Sequence, residues 1–257
     1  KYLKHISSCK SPMEMFAAIV RKHYQEKDAE DGRTTFHIAI MPCTGKKFEA
    51  ARPELEKDGE RLIDLVITTS ELCDMIEEAG INFAALPDEE PDAPLGDYTG
   101  AGVIFGVTGG VTEAVIRRVL DDASPNTLQT IAECGVRGLE GIKAFTVTAG
   151  DLTIRIAVAN GLANADKLIA KVESGEEQFD FIEVMACPNG CIGGGGQPPA
   201  CNKRKAERAE AIFKADEACA LRIPQQNPDL GYVYDTLLQG RAHELLHIHY
   251  PAHGQHS

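Results

Sequence analysis

Cys187 and Cys191 lie four residues apart, between an apolar run (FDFIEVMA) and four consecutive glycines at 193–196. Pro188 suits the first position of a helical turn, and such a turn would place both thiols on one face. Glycines lack a Cβ, so their backbone can approach a bound group closely and direct N–H groups at it. Thiolates beside backbone amides suit a negatively charged iron–sulfur cluster. From this segment alone, the alternative is a buried cysteine pair beside a flexible loop.

Two further segments carry residues of the same kind. Cys43 follows the apolar run FHIAIM, and Lys46 comes three residues later, where a helix would place its ammonium on the side of the thiol. Glu49 is three residues further on and could hold Lys46 in place. The third segment is VIFGV followed by Thr108 and two glycines, Gly109 and Gly110. Its spacing matches neither G-x-G-x-x-G nor G-x4-G-K-[ST], which disfavours the rival interpretation as a nucleotide phosphate loop.

An α/β arrangement is needed to bring these segments together. Each segment reads as the end of an apolar strand that turns towards a helix, and in open α/β sheets ligands bind beyond the carboxyl ends of strands. The three ends could then serve one anionic site. We predict strands at Phe36–Met41, Ile63–Thr68, Gly102–Val107, Phe145–Thr148, Leu152–Asn160 and Phe179–Met185. The fourth and fifth of these strands are predicted to form a hairpin that turns at Gly150. We predict helices from Ser11 to about Tyr24, after Cys43, and at Glu71–Glu78, Val111–Leu120, Leu162–Val172, Asn202–Leu221, Val233–Leu238 and Ala242–His249.

Composition limits the class of protein. The chain has 257 residues, 43% hydrophobic and 25% charged, which is ordinary for a globular protein. A net charge of −13 argues against nucleic acid or an anionic membrane as a partner. We expect no membrane span and see no signal peptide, so a cytoplasmic location is predicted, with periplasmic and organellar locations left open. Eight cysteines in a chain of this length indicate reduced thiols with a few metal ligands rather than a disulfide scaffold.

Four long motifs together resemble the catalytic domain of iron-only (FeFe) hydrogenases: MPCTGKKFEAARPE, FGVTGGVTEAVIR, EVMACPNGCIGGGGQP and GRAHELLHIHY, with SSCKSP near the start. The resemblance implies an α/β fold of two sheet-centred lobes flanked by helices, with a metal cluster in the cleft between them. It also implies reversible reduction of protons to H2. The implied cofactor is the H-cluster, a 4Fe–4S cubane joined through a cysteine sulfur to a di-iron unit with CO, CN and azadithiolate ligands.

The resemblance also implies a role for individual residues. Cys43 and Cys187 resemble cubane ligands, and Cys191 resembles the cysteine that bridges to the di-iron unit. Lys46 resembles the residue that hydrogen-bonds a cyanide, and Ser7 resembles the serine of the proton-transfer chain. The remaining residues resemble the lining of the cofactor: Met41, Phe105, Gly109, Gly110 and Met185.

One motif of the family, TSCCPGW, is absent and would lie upstream of Lys1. The chain therefore supplies three of the four cluster cysteines, and we expect a further segment or polypeptide to complete the site, where accessory iron–sulfur clusters could also lie. We predict one H-cluster domain over 1–257, with approximate lobes 1–100 and 101–240 and a C-terminal tail at 241–257. The resemblance implies a ferredoxin-like electron partner. The alternatives are a sensory hydrogenase of low turnover and a hydrogenase-like iron–sulfur assembly protein that produces no H2.

Other residues of chemical interest are assigned to structure. Five cysteines match no ligand position and are predicted to be ordinary buried or half-buried thiols: Cys9, Cys73, Cys134, Cys201 and Cys219. His243 and His247 lie one helical turn apart, a spacing compatible with metal binding, but the HELLHIHY ending belongs to the family resemblance. The histidines of the tail are therefore assigned to structure: His243, His247, His249, His253 and His256. Glu183, before the end of the cysteine strand, is predicted to anchor nearby backbone amides.

Overall fold

The computed structural model describes residues 2–56, 59–248 and 250. The strands are β1 (Ile38–Met41), β2 (Leu65–Thr68), β3 (Ile142–Ala149), β4 (Leu152–Asn160) and β5 (Phe181–Met185). The helices are α1 (Pro12–Asp31), α2 (Gly45–Glu49), α3 (Thr69–Glu78), α4 (Gly100–Val103), α5 (Gly110–Leu120), α6 (Pro125–Ile131), α7 (Leu162–Glu173), α8 (Asn202–Ala218), α9 (Asp229–Tyr232) and α10 (Ala242–Leu246). Short 3-10 helices span Leu3–His5, Pro53–Leu55, Phe83–Ala85, Ile104–Gly106, Cys191–Gly193 and Pro224–Gln226, and π-helical turns span Ala132–Val136 and Val233–Leu238. The predicted α/β class is confirmed.

The chain divides into two compact units. The first unit comprises Lys1–Phe83 and Asp229–Ser257, and the second comprises Ala84–Pro228. The predicted lobes divide the chain at about residue 100 and set 241–257 apart as a tail, whereas this division joins the C-terminal residues to the N-terminal ones. In the part of the chain that the structure describes, no helix is both long enough and apolar enough to cross a membrane.

The first unit contains a two-stranded parallel sheet. Strands β1 and β2 are paired from Ile38 with Leu65 to Met41 with Thr68, so their carboxyl ends lie side by side. The helix α1 begins where the sequence predicts, because the side chain of Ser11 caps it by accepting a hydrogen bond from the N–H of Glu14. It continues to Asp31 through the mostly polar residues 25–31, so the predicted end near Tyr24 is wrong. The polar residues of that stretch include good helix formers, and the helix ends only at a left-handed glycine.

The second unit contains a three-stranded sheet in the order β3, β4, β5. Strands β3 and β4 form the predicted hairpin, and β5 adds to β4 in parallel. The last five residues of β4, 156–160, are all buried, as expected for a strand that is covered on both faces. One face packs against α5 and α6 through Ile116, Leu128 and Ile131, and α7 packs on the sheet through Ala165 and Leu168.

A buried ionic network joins α5 to α8 within the second unit. The Arg117 guanidinium is fully buried and donates two hydrogen bonds of 2.7 Å to Asp216 and one of 2.5 Å to Glu113. Arg137 and Arg222 pair with the same two carboxylates. Burial disfavours the charge of Arg117, but the hydrogen bonds and charges of its two carboxylate partners outweigh burial and raise its pKa. Burial likewise opposes the charge of Asp216, but its arginine partners lower its pKa.

The predicted strand at Gly102–Val107 is wrong. The segment forms α4 and a 3-10 turn, and Thr99 caps α4 by accepting from the N–H of Gly102 at 3.4 Å. Its fully buried side chains, Ala101, Ile104 and Val107, recur every third residue, which is a helical period rather than a strand period. A short apolar run does not distinguish a strand from a buried helix by sequence alone.

Candidate metal centre

Cys43 and Lys46 are positioned by the end of β1 and the short helix α2. Cys43 follows β1 and precedes α2, and its thiol is half-buried. Lys46 forms a direct ion pair with Glu49 one turn further along α2, as the sequence predicts, and their side chains are only 24% and 19% exposed. The arrangement therefore provides a free thiol and, three residues later, an oriented ammonium group.

A second ion pair holds α2 against the start of α3. Lys47 donates a hydrogen bond of 2.8 Å to Glu71, which also accepts from the N–H and hydroxyl of Thr68 in a capping box. The Lys47 hydrogen bond and those from Thr68 lower the pKa of Glu71 to about 2. Since Thr68 ends β2, this contact anchors α2 at the carboxyl edge of the two-stranded sheet.

The loop that carries Cys187 and Cys191 is a turn followed by a 3-10 helix. The N–H of Gly190 donates to the carbonyl of Cys187 at 3.1 Å, and Asn189 and Gly190 have φ angles of +68° and +87°. The predicted helical turn from Pro188 is therefore wrong, because positive φ at two successive residues breaks a right-handed helix. Both thiols are half-buried.

The loop is held by contacts to three other segments. The backbone N–H of Asn189 donates to the side chain of Asn160 at 2.8 Å, and its carbonyl accepts from the N–H of Thr108 at 3.2 Å. The side-chain amide of Asn189 donates to the carbonyl of Leu139. A Cβ on Gly190 would lie 2.7 Å from the nitrogen of Thr108, so this position requires glycine for space as well as for conformation. The sequence did not indicate the role of Asn160, which lies 29 residues away from Asn189.

Glu183 joins the cysteine strand to the N-terminus of α5. It is 6% exposed and accepts three hydrogen bonds, from Gly109 N–H at 2.7 Å, Thr112 N–H at 2.8 Å and the Thr112 hydroxyl at 2.7 Å. The predicted anchor of amides is thus confirmed. The N–H of Gly110 donates to the carbonyl of Val107. The amides of both glycines are therefore used within the second unit, so any role of theirs in lining a cofactor depends on close backbone approach.

Lys143 is a buried cation that sequence reasoning missed. It is 7% exposed, and its ammonium donates to the carbonyls of Thr108, Val136 and Gly138 at 2.7–3.1 Å. Burial lowers the pKa of Lys143, opposed most strongly by the charge of Glu183. Lys143 therefore ties Thr108, just before Gly109, and the segment 136–138 to the sheet. No periodic or motif signal marks it, because a lysine in β3 reads as a solvent-facing residue.

The remaining predicted site residues lie in both units. Met41 ends β1 and Met185 ends β5, each half-buried, and Phe105 is a half-buried residue of the 3-10 turn before Gly109. Ser7 is exposed in the N-terminal segment, where its hydroxyl accepts from the N–H of Cys9 at 3.2 Å. The lining and relay roles of these residues stay predictions.

The unassigned cysteines and histidines are placed as follows. Cys134 and Cys219 are half-buried as predicted, but Cys9, Cys73 and Cys201 are exposed, so the prediction is wrong for these three. Neighbouring His243 and His247 have ring centroids 4.5 Å apart, and His247 makes a 2.8 Å contact with the Ser8 hydroxyl, a structural use. The remaining three histidines of the tail lie outside the described residues: His249, His253 and His256.

The three motif cysteines suit an iron–sulfur cluster by their chemistry. The eight cysteines all lie in the described part of the chain and none forms a disulfide, and Cys43, Cys187 and Cys191 are half-buried rather than fully enclosed. Gly193, in the 3-10 helix after Cys191, has no room for a Cβ, which would lie 2.4 Å from the carbonyl of Pro188. Soft thiolates on a closely packed glycine-rich turn, as at Cys187 and Cys191, are ligands of the kind that such a cluster takes. Among the described residues, no three cysteine, histidine or acidic side chains are grouped as a metal site.

Comparison with known families assigns nearly the whole chain. A family model described as "Iron only hydrogenase large subunit, C-terminal domain" matches residues 1–195. A second, described as "Iron hydrogenase small subunit", matches residues 202–253. The first match contains all three motif cysteines, and the second contains α8 and the C-terminal helices.

Named relatives fall into two groups. Iron hydrogenase 1 of Clostridium pasteurianum is 43% identical over 96% of this chain and 45% of its own length. The NADP-reducing hydrogenase subunit HndD of Solidesulfovibrio fructosivorans is 42% identical over 95% of this chain and 43% of its own length. Cytosolic iron-sulfur assembly component 3 of Mus musculus is 29% identical over 97% of this chain and 54% of its own length. This chain thus spans about half the length of these relatives.

Solved structures share the fold. A structure of an FeFe hydrogenase from Chlamydomonas reinhardtii superposes with a TM-score of 0.74 at 38% identity, covering 98% of this chain and 72% of that one. A second structure, whose description concerns stepwise assembly of an FeFe-hydrogenase H-cluster, gives a TM-score of 0.73 at 38% identity and covers 98% and 71% of the two chains.

Proposed function

Because the chain belongs to the family of C-terminal domains of iron-only hydrogenase large subunits, we propose that it forms the H-cluster domain of an FeFe hydrogenase that interconverts protons and H2. The observation that carries the proposal is the cysteine–lysine arrangement after β1. A free thiol at Cys43 is followed by an ammonium at Lys46, which Glu49 orients. A thiolate alone would suit any soft metal ion. An oriented, largely buried ammonium beside it would in addition donate a hydrogen bond to an anionic ligand of the metal, such as cyanide.

Different residues would hold different parts of the cofactor. Cys43 and Cys187 would bind the cubane, and Cys191 would bridge to the di-iron unit. Lys46 would donate a hydrogen bond to a cyanide. When bound, the H-cluster supplies the redox chemistry of hydrogen, and the chain supplies the thiolates, the ammonium and the shape of the site. A fourth thiolate would come from a segment or polypeptide beyond these 257 residues.

Other residues would control access of water and protons. Met41, Met185 and Phe105 would form an apolar wall around the di-iron unit, which strengthens the hydrogen bond from Lys46 by keeping water away. Gly109 and Gly110 would allow close backbone approach at the same wall. The hydroxyl of Ser7 can accept and donate a proton in turn, as a relay requires. A ferredoxin-like protein would exchange electrons with the cubane.

A second candidate function comes from the other group of relatives. The relative named cytosolic iron-sulfur assembly component 3 is similar over nearly the same length of this chain, so an iron–sulfur assembly function is the second candidate. The higher identity to named hydrogenases, 43% against 29%, favours the hydrogenase. Within hydrogenases, a sensory role would differ from a catalytic one by low turnover.

The test is infrared spectroscopy of the full-length protein that contains this chain, matured with the di-iron cofactor. We expect stretching bands of CO and CN bound to iron, together with H2 evolution from a reduced electron donor. Cys191→Ala should abolish the bands, because it removes the bridging sulfur. Cys73→Ala, which removes an exposed thiol on α3, is the matched control and should retain them.

Each outcome separates the candidates. Bands with rapid H2 evolution support a catalytic hydrogenase, and bands with little turnover support a sensory one. Absence of the bands after maturation refutes the hydrogenase function and leaves the assembly function. Normal bands in Cys191→Ala refute the bridging role of that cysteine.

A further inference from the structure

Glu14 is a buried carboxyl group that the proposed function does not use. It lies in the first turn of α1, and the residue is 1% exposed, at the end of the helix where Met13, Ala17 and Ala18 are also buried. Within the described residues, its Oε1 atom is buried without a hydrogen-bond partner. A buried carboxylate oxygen without a donor is costly, whereas a protonated carboxyl at the same place is not charged and costs far less.

The charged groups facing Glu14 come from three segments. Glu49 and Lys46 face it from α2, and Lys10 faces it from the segment before α1. Tyr250 interacts electrostatically with both Glu14 and Glu49, and also with Arg52 and Glu54. The Arg52 guanidinium lies 4.7 Å from the ring centroid of Tyr250.

The balance of these charges favours a neutral Glu14. Burial and the neighbouring carboxylate of Glu49 raise the pKa of Glu14, and the ammonium groups of Lys10 and Lys46 oppose this without reversing it. Lys46 is paired directly with Glu49, so the carboxylate of Glu49 largely compensates the positive charge that would otherwise stabilise an ionised Glu14. Two carboxyl groups close together in a poorly hydrated place do not both ionise readily. Glu49 has the ammonium partner, so the proton belongs on Glu14.

We propose that Glu14 is a positioning residue for Lys46, which acts by remaining a neutral acid beside the Glu49–Lys46 ion pair. While Glu14 is protonated, Glu49 is the single carboxylate that orients the Lys46 ammonium. When Glu14 loses its proton to solvent, a second negative charge competes for the same ammonium and changes its orientation. The inference deepens the proposed function, because it rests on Lys46 as the residue that hydrogen-bonds a cyanide of the cofactor.

The first measurement tests the protonation of Glu14 without reference to the cofactor bands. Infrared difference spectra of the matured full-length protein, recorded across a pH titration, should show the C=O stretch of a protonated carboxyl group that persists above the ordinary pKa of 4.5. The band should be absent in Glu14→Gln, which keeps the shape of the side chain. Glu26→Gln, an exposed glutamate on the same helix, is the matched control and should retain the band. A band that persists in Glu14→Gln, or none in the wild type, overturns the proposal.

The second measurement tests coupling to Glu49. Glu49→Gln removes the neighbouring negative charge and leaves Lys46 without its partner. Both effects favour ionisation of Glu14, so the pH midpoint of the carboxyl band should move down in this variant. A midpoint that does not move overturns the coupling.

The third measurement tests the consequence for Lys46. The cyanide bands of the wild type should shift with pH as Glu14 loses its proton, and the bands of Glu14→Gln should stay at the wild-type low-pH position throughout. An identical shift in Glu14→Gln overturns the positioning role. Absence of cyanide bands in every variant would instead refute the proposed function, and the carboxyl band and its dependence on Glu49 would still decide whether Glu14 is a neutral acid coupled to that pair.

Discussion

Replacing Glu183 by alanine should strongly destabilise the second unit, because three buried donors would lose one acceptor group. The N–H groups of Gly109 and Thr112 and the Thr112 hydroxyl all donate to this carboxylate at 2.7–2.8 Å. Each buried N–H left without an acceptor costs roughly 1–3 kcal/mol, and the hydroxyl can reorient at a cost of about 1 kcal/mol or less. With partial rescue by water in the vacated space, we expect a loss of about 4 kcal/mol. Against a typical total stability of about 5–15 kcal/mol, this loss is severe.

The assay is urea denaturation of the full protein combined with amide hydrogen exchange. Glu183→Ala should lower the free energy of unfolding and release the amides of Gly109 and Thr112 to fast exchange, whereas distant amides of the first unit stay protected. The free energy of unfolding of Glu183→Gln should lie between those of the wild type and Glu183→Ala. The amide oxygen of glutamine can still accept a hydrogen bond, but its NH2 group would face a second donor. The control is Glu210→Ala, which removes a surface carboxylate from α8 and should leave stability and exchange unchanged. A loss below about 1 kcal/mol in Glu183→Ala, with these two amides still protected, would refute the reasoning, since it is less than the lower cost of two unpaired amides.

Two further predictions concern buried charges. Arg117→Met should cost about 3–5 kcal/mol, because it leaves the buried carboxylate of Asp216 without its closest partner, and chemical denaturation measures this cost. A loss under about 1 kcal/mol would indicate that the neighbouring arginines compensate fully. Glu14 has a raised pKa in the folded state, so between its ordinary value of 4.5 and the raised value the folded chain binds more protons than the unfolded chain. The free energy of unfolding should therefore fall as pH rises through that interval, and Glu14→Gln should remove this part of the fall; the same slope in both proteins would contradict the assignment.

Most of the secondary structure is predictable from local pattern. The predicted hairpin around Gly150 and the helix after Asn160 agree with β3, β4 and α7 to within a few residues. Alternation of apolar residues in a strand and the apolar stripe of a helix are local properties of the sequence, so they can be recognised without knowledge of the tertiary contacts. The capping of α1 by Ser11 was predictable for the same reason, since cap and helix lie within four residues.

The errors arise where tertiary contacts decide the local conformation. The segment before Gly109 is apolar enough for a strand, but it forms α4, whose first residue packs against α8: a Cβ on Gly100 would lie 2.1 Å from a carboxylate oxygen of Asp216. The loop after Cys187 is not helical because Asn160 and Thr108 hold the backbone of Asn189 in a left-handed conformation. These partners lie 29 or more residues away in the chain, so no local window contains the cause.

The same distinction applies to the candidate site. The Lys46–Glu49 pair was predictable because both residues lie on one helical turn. Lys143 was not, because its three acceptors are main-chain carbonyls that become neighbours only when the sheet and the turn are packed. A sequence motif indicates which side chains are candidates for the site, but it does not indicate the backbone contacts that fix their positions.

The two segments that carry the candidate cysteine ligands are held by different physical means, and this difference predicts how each responds to a change of charge. The cysteine loop of the second unit depends on Glu183, a carboxylate that is fully occupied by donors and faces the buried cation Lys143. Loss of that charge removes hydrogen bonds and therefore stability. The lysine beside Cys43 depends instead on Glu49, and the nearby Glu14 has one buried carboxyl oxygen without a hydrogen-bond partner among the described residues. A change of charge there alters the electrostatic surroundings of Lys46 while the hydrogen bonds of α2 remain. Substitutions that neutralise Glu183 should therefore affect folding, whereas ionisation of Glu14 should alter the orientation of Lys46.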